Sequence, residues 1–345
     1  MKKLLPALFL ITTLTLVFAV SIIREKEVKV HIVGDILLSR GVEDKLNQYG
    51  YDYPYTKIRD TLIDGDITFG NLECPITSGG SPVFKSPKYI FRADASNAYA
   101  LKNSGFDILN LANNHTMDYG REGLEDTIEL LNKENIKTVG AGKDREDARK
   151  PVYMSISNTV FGFLSFSSFP AEGYFYLPDR PDVAQVDITK LSEEVKNAKA
   201  NCDILIVSFH WGREFDNYPG ENQKNVAHLS IDSGADIVIG HHPHVLQGVE
   251  LYKNKTIFYS LGNFIFDKQE PKGTDETIIL KLGISNRSIK SLKALPIRIV
   301  ECQPTIPETP DALRILNNFK KYSENMNSNI YIDEKKGILE VRGDF

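Results

Sequence analysis

The residues best suited to chemistry are crowded into Gly240-His241-His242-Pro243-His244-Val245, where three of the chain's seven histidines fall within four residues. Neutral imidazole is the commonest protein ligand for transition metals. The cluster follows the apolar run Ile237-Val238-Ile239, which predicts a buried strand. Histidines at the end of such a strand point to metal binding rather than to a hydrogen-bonded loop. His242 and His244 are two apart, with Pro243 stiffening the link. On extended backbone both imidazoles then face one side and converge on one centre or reach adjacent ones.

The same placement recurs upstream. Val28 to Val33 alternates as a strand should and ends in Gly34-Asp35. Asp66 to Gly70 predicts a strand that delivers Glu73, and Phe106 to Leu109 one that delivers Asn114 and His115. Asp203 to Phe209, the most apolar strand, runs into His210, and Thr256 to Ser260 delivers Asn263. Between them the spacing predicts helices over 54–64, 96–104, 121–134, 187–200, 221–233 and 309–323, with a hairpin of Val152–Ile156 and Val160–Ser165. Segment 167–183, rich in Pro, Gly and aromatics, reads as a long loop at the site mouth. Strands alternating with helices predict an α/β core with a largely parallel sheet, and such sheets place ligands beyond the carboxyl ends of their strands. Asp35, Glu73, Asn114, His210, His242 and His244 all lie there. A mixed carboxylate, amide and imidazole set suits Mn, Fe or Zn better than Ca. Arg92, Arg213 and Asn263 are the candidates for substrate contact, with a surface ion pair the competing role for Arg92.

The remaining composition sets the boundaries. A chain of 345 residues that is 41% hydrophobic and 25% charged has enough apolar material for a large core. Residues 26–302 read as one domain and 303–345 as a C-terminal extension. The stretch from Leu4 to Ile23 carries no charge, follows Lys2-Lys3 and precedes Arg24-Glu25-Lys26. At helical rise it spans ~30 Å, the thickness of the hydrocarbon core. Residues 1–25 thus read as a membrane anchor with a cytoplasmic N-terminus and the main domain outside, or as a signal peptide cut near Val17-Phe18-Ala19. Three widely spaced cysteines give neither a disulfide framework nor a zinc-finger spacing. A net charge of −5 excludes the basic footprint of a nucleic-acid binder.

Taken together, Gly34-Asp35, Asn71-Leu72-Glu73, Asn113-Asn114-His115, His210-Trp211-Gly212, His242-Pro243-His244-Val245 and Ser260-Leu261-Gly262-Asn263-Phe264 resemble the CapA/PgsA family of capsule and poly-γ-glutamate biosynthesis proteins. That family is itself similar to the calcineurin-like metallophosphoesterases. The resemblance covers about residues 28–300. It implies a β-sandwich flanked by helices, a membrane-anchored role in making or exporting an extracellular polyanion, other capsule-synthesis membrane subunits as partners, and an anionic polymer or phosphoester as substrate. It further implies two divalent metals: Asp35 and His244 would hold one, Asn114, His210 and His242 the other, with Glu73 between them. His115 would stabilise or protonate a leaving oxygen during in-line displacement at phosphorus. Two departures stand out. Where the phosphoesterases have Asp-x-His, this chain has Asp35-Ile36-Leu37, which leaves the first metal a nitrogen donor short, and their bridging Asp is replaced by Glu73.

Overall fold

A computed structural model describes residues 27–170, 177, 179–267 and 270–343. Two β-sheets pack face to face. In the first, strands Val28–Ile36, Ile67–Leu72, Ile108–Asn110 and Lys137–Val139 run parallel, side by side. In the second, Thr159–Ser167, Ile204–His210, Ile237–His241 and Lys255–Leu261 do the same. Antiparallel strands flank both parallel blocks: Glu276–Ser285 and Ser288–Val300 extend the first sheet, while Leu246–Tyr252 and Val152–Ile156 close the two edges of the second.

Strand alternation explains how each layer is covered. Val30, Ile32, Phe69 and Ile108 of the first sheet meet Phe163, Ile206, Ile237 and Ile239 of the second, and the rings of Phe69 and Phe163 stack 5.8 Å apart across the gap. The outer face of the first sheet packs on helices Gly41–Tyr49, Arg59–Ile63, Ser96–Asn103 and Gly120–Lys133 through Leu46, Leu62, Leu101 and Leu124. Helices Leu191–Lys199 and Glu221–Asp232 cover the second through Leu191, Val195 and Ala227. Helix Thr309–Tyr322 inserts Ile315, Leu316 and Phe319 into the central core, and the hairpin of Ile330–Asp333 and Ile338–Val341 adds to the first sheet.

The fold is therefore mixed α/β, with a parallel block in each of two sheets rather than in one: between antiparallel edges in the second, and reaching the edge strand Lys137–Val139 in the first. The helix predicted over 54–64 is broken into a 3₁₀ turn, Tyr53–Tyr55, and a short helix, Arg59–Ile63. Pro54 sets the first turn, and the chain needs a second start to reach the strand at Ile67. The membrane anchor expected at the amino terminus lies outside the described residues, as do 171–176 and 178 of the expected 167–183 loop. Among the described residues no helix is long and apolar enough to cross a membrane.

Two glycines permit close backbone approaches at one end of the sandwich, Gly34 between the sheets and Gly240 within the second. A Cβ on Gly34 would sit 1.9 Å from the Gly262 carbonyl oxygen, and one on Gly240 1.9 Å from that of Tyr259. The close approach at Gly34 allows the Asp35 N–H to donate to Gly262 O at 3.0 Å, which joins the first sheet to the chain leaving the second.

Candidate metal centre

Both parallel blocks end on the same side of the sandwich, so their terminal side chains meet. Asp35 is fully buried. Its Oδ1 accepts from Asn71 Nδ2 at 2.8 Å and lies 3.2 Å from His241 Nδ1, while its Oδ2 lies 3.3 Å from the His242 backbone N–H and 3.5 Å from His244 Nδ1. On the other side, His210 Nε2 is 2.8 Å from Asn114 Oδ1, 3.0 Å from His242 Nδ1 and 3.6 Å from Glu73 Oε1. His244 Nε2 is 3.9 Å from that same Glu73 oxygen, so Glu73 stands between the two groups. Donor atoms held ~2.0–2.2 Å from one ion are themselves about 3–3.6 Å apart, the spacing found here. Glu73, His242 and His244 alone present ligand atoms all within 4.8 Å of one another.

His242 and His244 do not reach their places on extended backbone. Both adopt positive φ, 94° and 59°, a conformation that costs roughly 1–3 kcal/mol per non-glycine residue and is tolerated where surrounding structure over-determines it. The turn sends their rings apart, 5.9 Å between centroids, His242 toward His210 and His244 toward Asp35. Ligand atoms of the two still lie within 4.8 Å of each other and of Glu73, so the turn lets them share a centre at Glu73 while each also reaches its own neighbours.

The electrostatics fit a cation. Glu73 is buried with neither carboxylate oxygen hydrogen-bonded, and burial pushes its carboxyl well above the usual range, with Asp35 adding to the rise and His244 opposing it. Burial also pushes Asp35 up, but the imidazoles of His241 and His244 beside it hold it well below the ordinary carboxylate value. Burial, helped by neighbouring imidazoles, lowers His210 strongly and His242 to about 3, so both are neutral imidazoles at physiological pH. Burial alone would lower His244 as well; Glu73 and Asp35 instead raise it to about 9, making it the cation that balances the pair in the metal-free protein. Two buried carboxylates among imidazoles of which His244 alone is held charged are a centre in which a divalent ion could take over the balancing charge.

Comparison with known proteins gives this constellation a setting. The model of the bacterial capsule synthesis protein PGA_cap matches residues 29–268. The chain belongs to this family. It is 34% identical over 288 residues to the capsule biosynthesis protein CapA of Bacillus anthracis, covering 81% of this chain and 70% of that one. It is 32% identical over 310 residues to the PGA biosynthesis protein CapA of Bacillus subtilis, covering 90% and 81% respectively. Among solved structures, a phosphatase of Mycoplasma pneumoniae shares the fold at TM-score 0.50 and 11% identity, over 84% of this chain and 96% of that one. The calcineurin-like phosphoesterase YfkN of Bacillus subtilis aligns at TM-score 0.48 with 16% identity, over 86% of this chain and 98% of that one.

In this PGA_cap chain a second set of residues, not apparent from the strand-end pattern, holds the first. Asn71, whose amide binds Asp35, receives Asn110 Nδ2 at 2.8 Å and Asn113 Nδ2 at 3.2 Å on its own oxygen, a ladder of buried amides that links two adjacent strand ends to the Asp35 carboxylate on a third. His115 is fixed from behind: its Nδ1 lies 3.0 Å from Asp118 Oδ2, and Asp118 also accepts from Lys85 Nζ at 2.6 Å and from the Phe91 N–H at 2.8 Å. With the Phe91 ring 4.2 Å away, the His115 imidazole is held in one orientation, its Nδ1 proton directed at Asp118. Asn263 sits behind His244, with Oδ1 2.9 Å from His244 Nδ1 and Nδ2 bonded to Thr274 O. It is buried, so its amide is spent on the protein. Arg92 is exposed and lies over the Tyr119 ring at 4.8 Å. Arg213, also exposed, lines a cavity of about 920 Å³ with Phe169, Trp211, Tyr218 and Gln223. Leu37 is buried in the apolar cluster on the helix side of the first sheet.

Proposed function

We propose that this chain is a membrane-anchored, outward-facing component of capsule or poly-γ-glutamate synthesis or export, and that its strand-end centre holds divalent metal, Mn, Fe or Zn. Family membership supports the polymer role. The observation that carries the metal is Glu73, a carboxylate buried without a hydrogen bond among imidazoles. Asp35, Glu73 and His244 would hold one ion, and Asn114, His210 and His242 a second beside the same Glu73. When bound, the metal supplies Lewis acidity and lowers the pKa of water. The chain's own residues orient the rest: His115, held by Asp118, presents its other nitrogen for proton transfer to an oxygen, and Arg92 and Arg213 offer exposed positive charge to a polyanion or phosphoester. With the net charge negative, a polyanion would be drawn by these local groups and the metal rather than by the overall field. Other membrane subunits of the polymer machinery are the partners this reading implies.

The test pairs chemistry with cells. The purified outer domain should carry divalent metal by elemental analysis, and cells of a polymer-producing host lacking its own relative should regain cell-associated polymer with this chain but not with His210→Ala. Metal-free protein that still restores polymer would overturn the metal's part. Protease added to intact cells should remove the domain; a mature chain beginning at Val20 or Ser21 would establish a cleaved leader in place of the anchor.

A further inference from the structure

We propose that His241 is itself a ligand of this centre, supplying beside Asp35 and His244 the nitrogen donor that Leu37 cannot. The inference rests on the metal reading above. Strand Ile237–His241 directs Ile237 and Ile239 into the sandwich, and by the same alternation His241 enters from below the centre. Its ring lies 6.2 Å from that of Phe69, at the top of the central core. The next residue, His242, leaves the strand with φ 94° and turns toward His210. Consecutive histidines thus address opposite groups of donors.

His241 is 0% exposed, and neither of its ring nitrogens makes a hydrogen bond. Such an imidazole loses its water and receives in exchange only the charge of the Asp35 carboxylate beside it, an incomplete compensation that a ligand would make good. The polar atom beside Nδ1 is Asp35 Oδ1 at 3.2 Å, comparable to the 3.0 Å between His210 Nε2 and His242 Nδ1 in the other group. Asp35 Oδ1 already accepts from Asn71 at 2.8 Å. With His241, the group around Asp35 gains a second imidazole beside His244 and no longer lacks a donor.

The experiment titrates the metal-free outer domain with Co²⁺ alone, reading equivalents bound and the visible absorption of the loaded protein, for wild type, His241→Phe and His241→Asn. Phenylalanine keeps the ring bulk against Phe69, and asparagine guards against a failure of that variant to fold. The expected result is loss of one tight equivalent, or its weakening by more than about 100-fold, with the absorption of that equivalent gone in both variants. Unchanged stoichiometry and spectrum, with affinity weakened by no more than about tenfold, would mark His241 as an outer partner of Asp35 and overturn the proposal. Wild-type protein that takes up no Co²⁺ would sink the metal reading itself.

Discussion

Burial decides which imidazoles in this protein are ready to bind metal. His210 and His242 are kept neutral by desolvation first, with His242 adding to the fall at His210 and His244 to that at His242, whereas His244 is raised to about 9 by Glu73 and Asp35. A metal must therefore displace a proton from the Glu73 and His244 pair but none from the other two. At pH 7 binding should release about one proton per chain, and affinity should climb as pH rises toward 9, where His244 gives up its proton unaided. Calorimetry in buffers of different ionisation enthalpy measures this, and binding that is flat from pH 7 to 9 would contradict the charge assignment. The same contrast separates ligands from structural histidines. His210→Ala and His242→Ala should each lower bound metal, while His31→Ala, mid-strand, and His228→Ala, paired with Glu250 at 3.0 Å on a helix, should not. Equal metal in all four variants would refute the site.

The elements deliver these residues through a rule legible in the chain: alternating or apolar runs end in polar clusters, and parallel strands end on one side. Asp35, Glu73, Asn114, His210, His242 and His244 could be picked out for that reason. What stayed hidden depends on contacts between distant segments. Lys85 and Asp118 meet across 33 residues because a loop folds back on the strand end. Asn71, Asn110 and Asn113 look like ordinary turn residues until adjacent strands stack their amides. Helix Gly41–Tyr49 begins after Arg40 at φ 56° with no side-chain cap, so no start signal marks it. The three-residue strands Lys137–Val139 and Asn263–Ile265 are too short to show a period. The second of these pairs with the first sheet at Asp35 and Asn263, and Gly34 permits the approach. Gly34→Ala should force these backbones apart, weakening folding by several kcal/mol, as overpacking against rigid main chain does, and lowering metal content in whatever folds. A variant with unchanged denaturant midpoint and full metal would show that the junction yields more easily than its geometry implies.

Across the whole molecule, stability should depend on acid through a group remote from the strand-end centre. His31 is buried in strand Val28–Ile36, beside Thr68 in register and across from Lys281. Burial, and then the charge of Lys281, lower it from 6.5 to about 4. In the unfolded chain His31 takes up a proton near pH 6.5, while the folded protein refuses it until about pH 4. Between those values the unfolded state binds more protons, so stability falls as pH falls. The contribution is intact above pH 7, and integrating the two titrations gives about 2 kcal/mol lost on going from pH 7 to pH 5. Other depressed groups, His210 and His242 among them, add to the same acid limb, so total stability alone cannot isolate His31. The difference between wild type and His31→Gln can, with chelator present so that metal linkage is held at zero in both. Glutamine is of similar length and does not titrate. Whatever its cost at pH 7, denaturant unfolding should show that cost shrinking by about 2 kcal/mol at pH 5. Stability curves that run parallel from pH 7 to pH 5 would mean that the folded protein admits the proton on His31, through strand opening or through water reaching the ring.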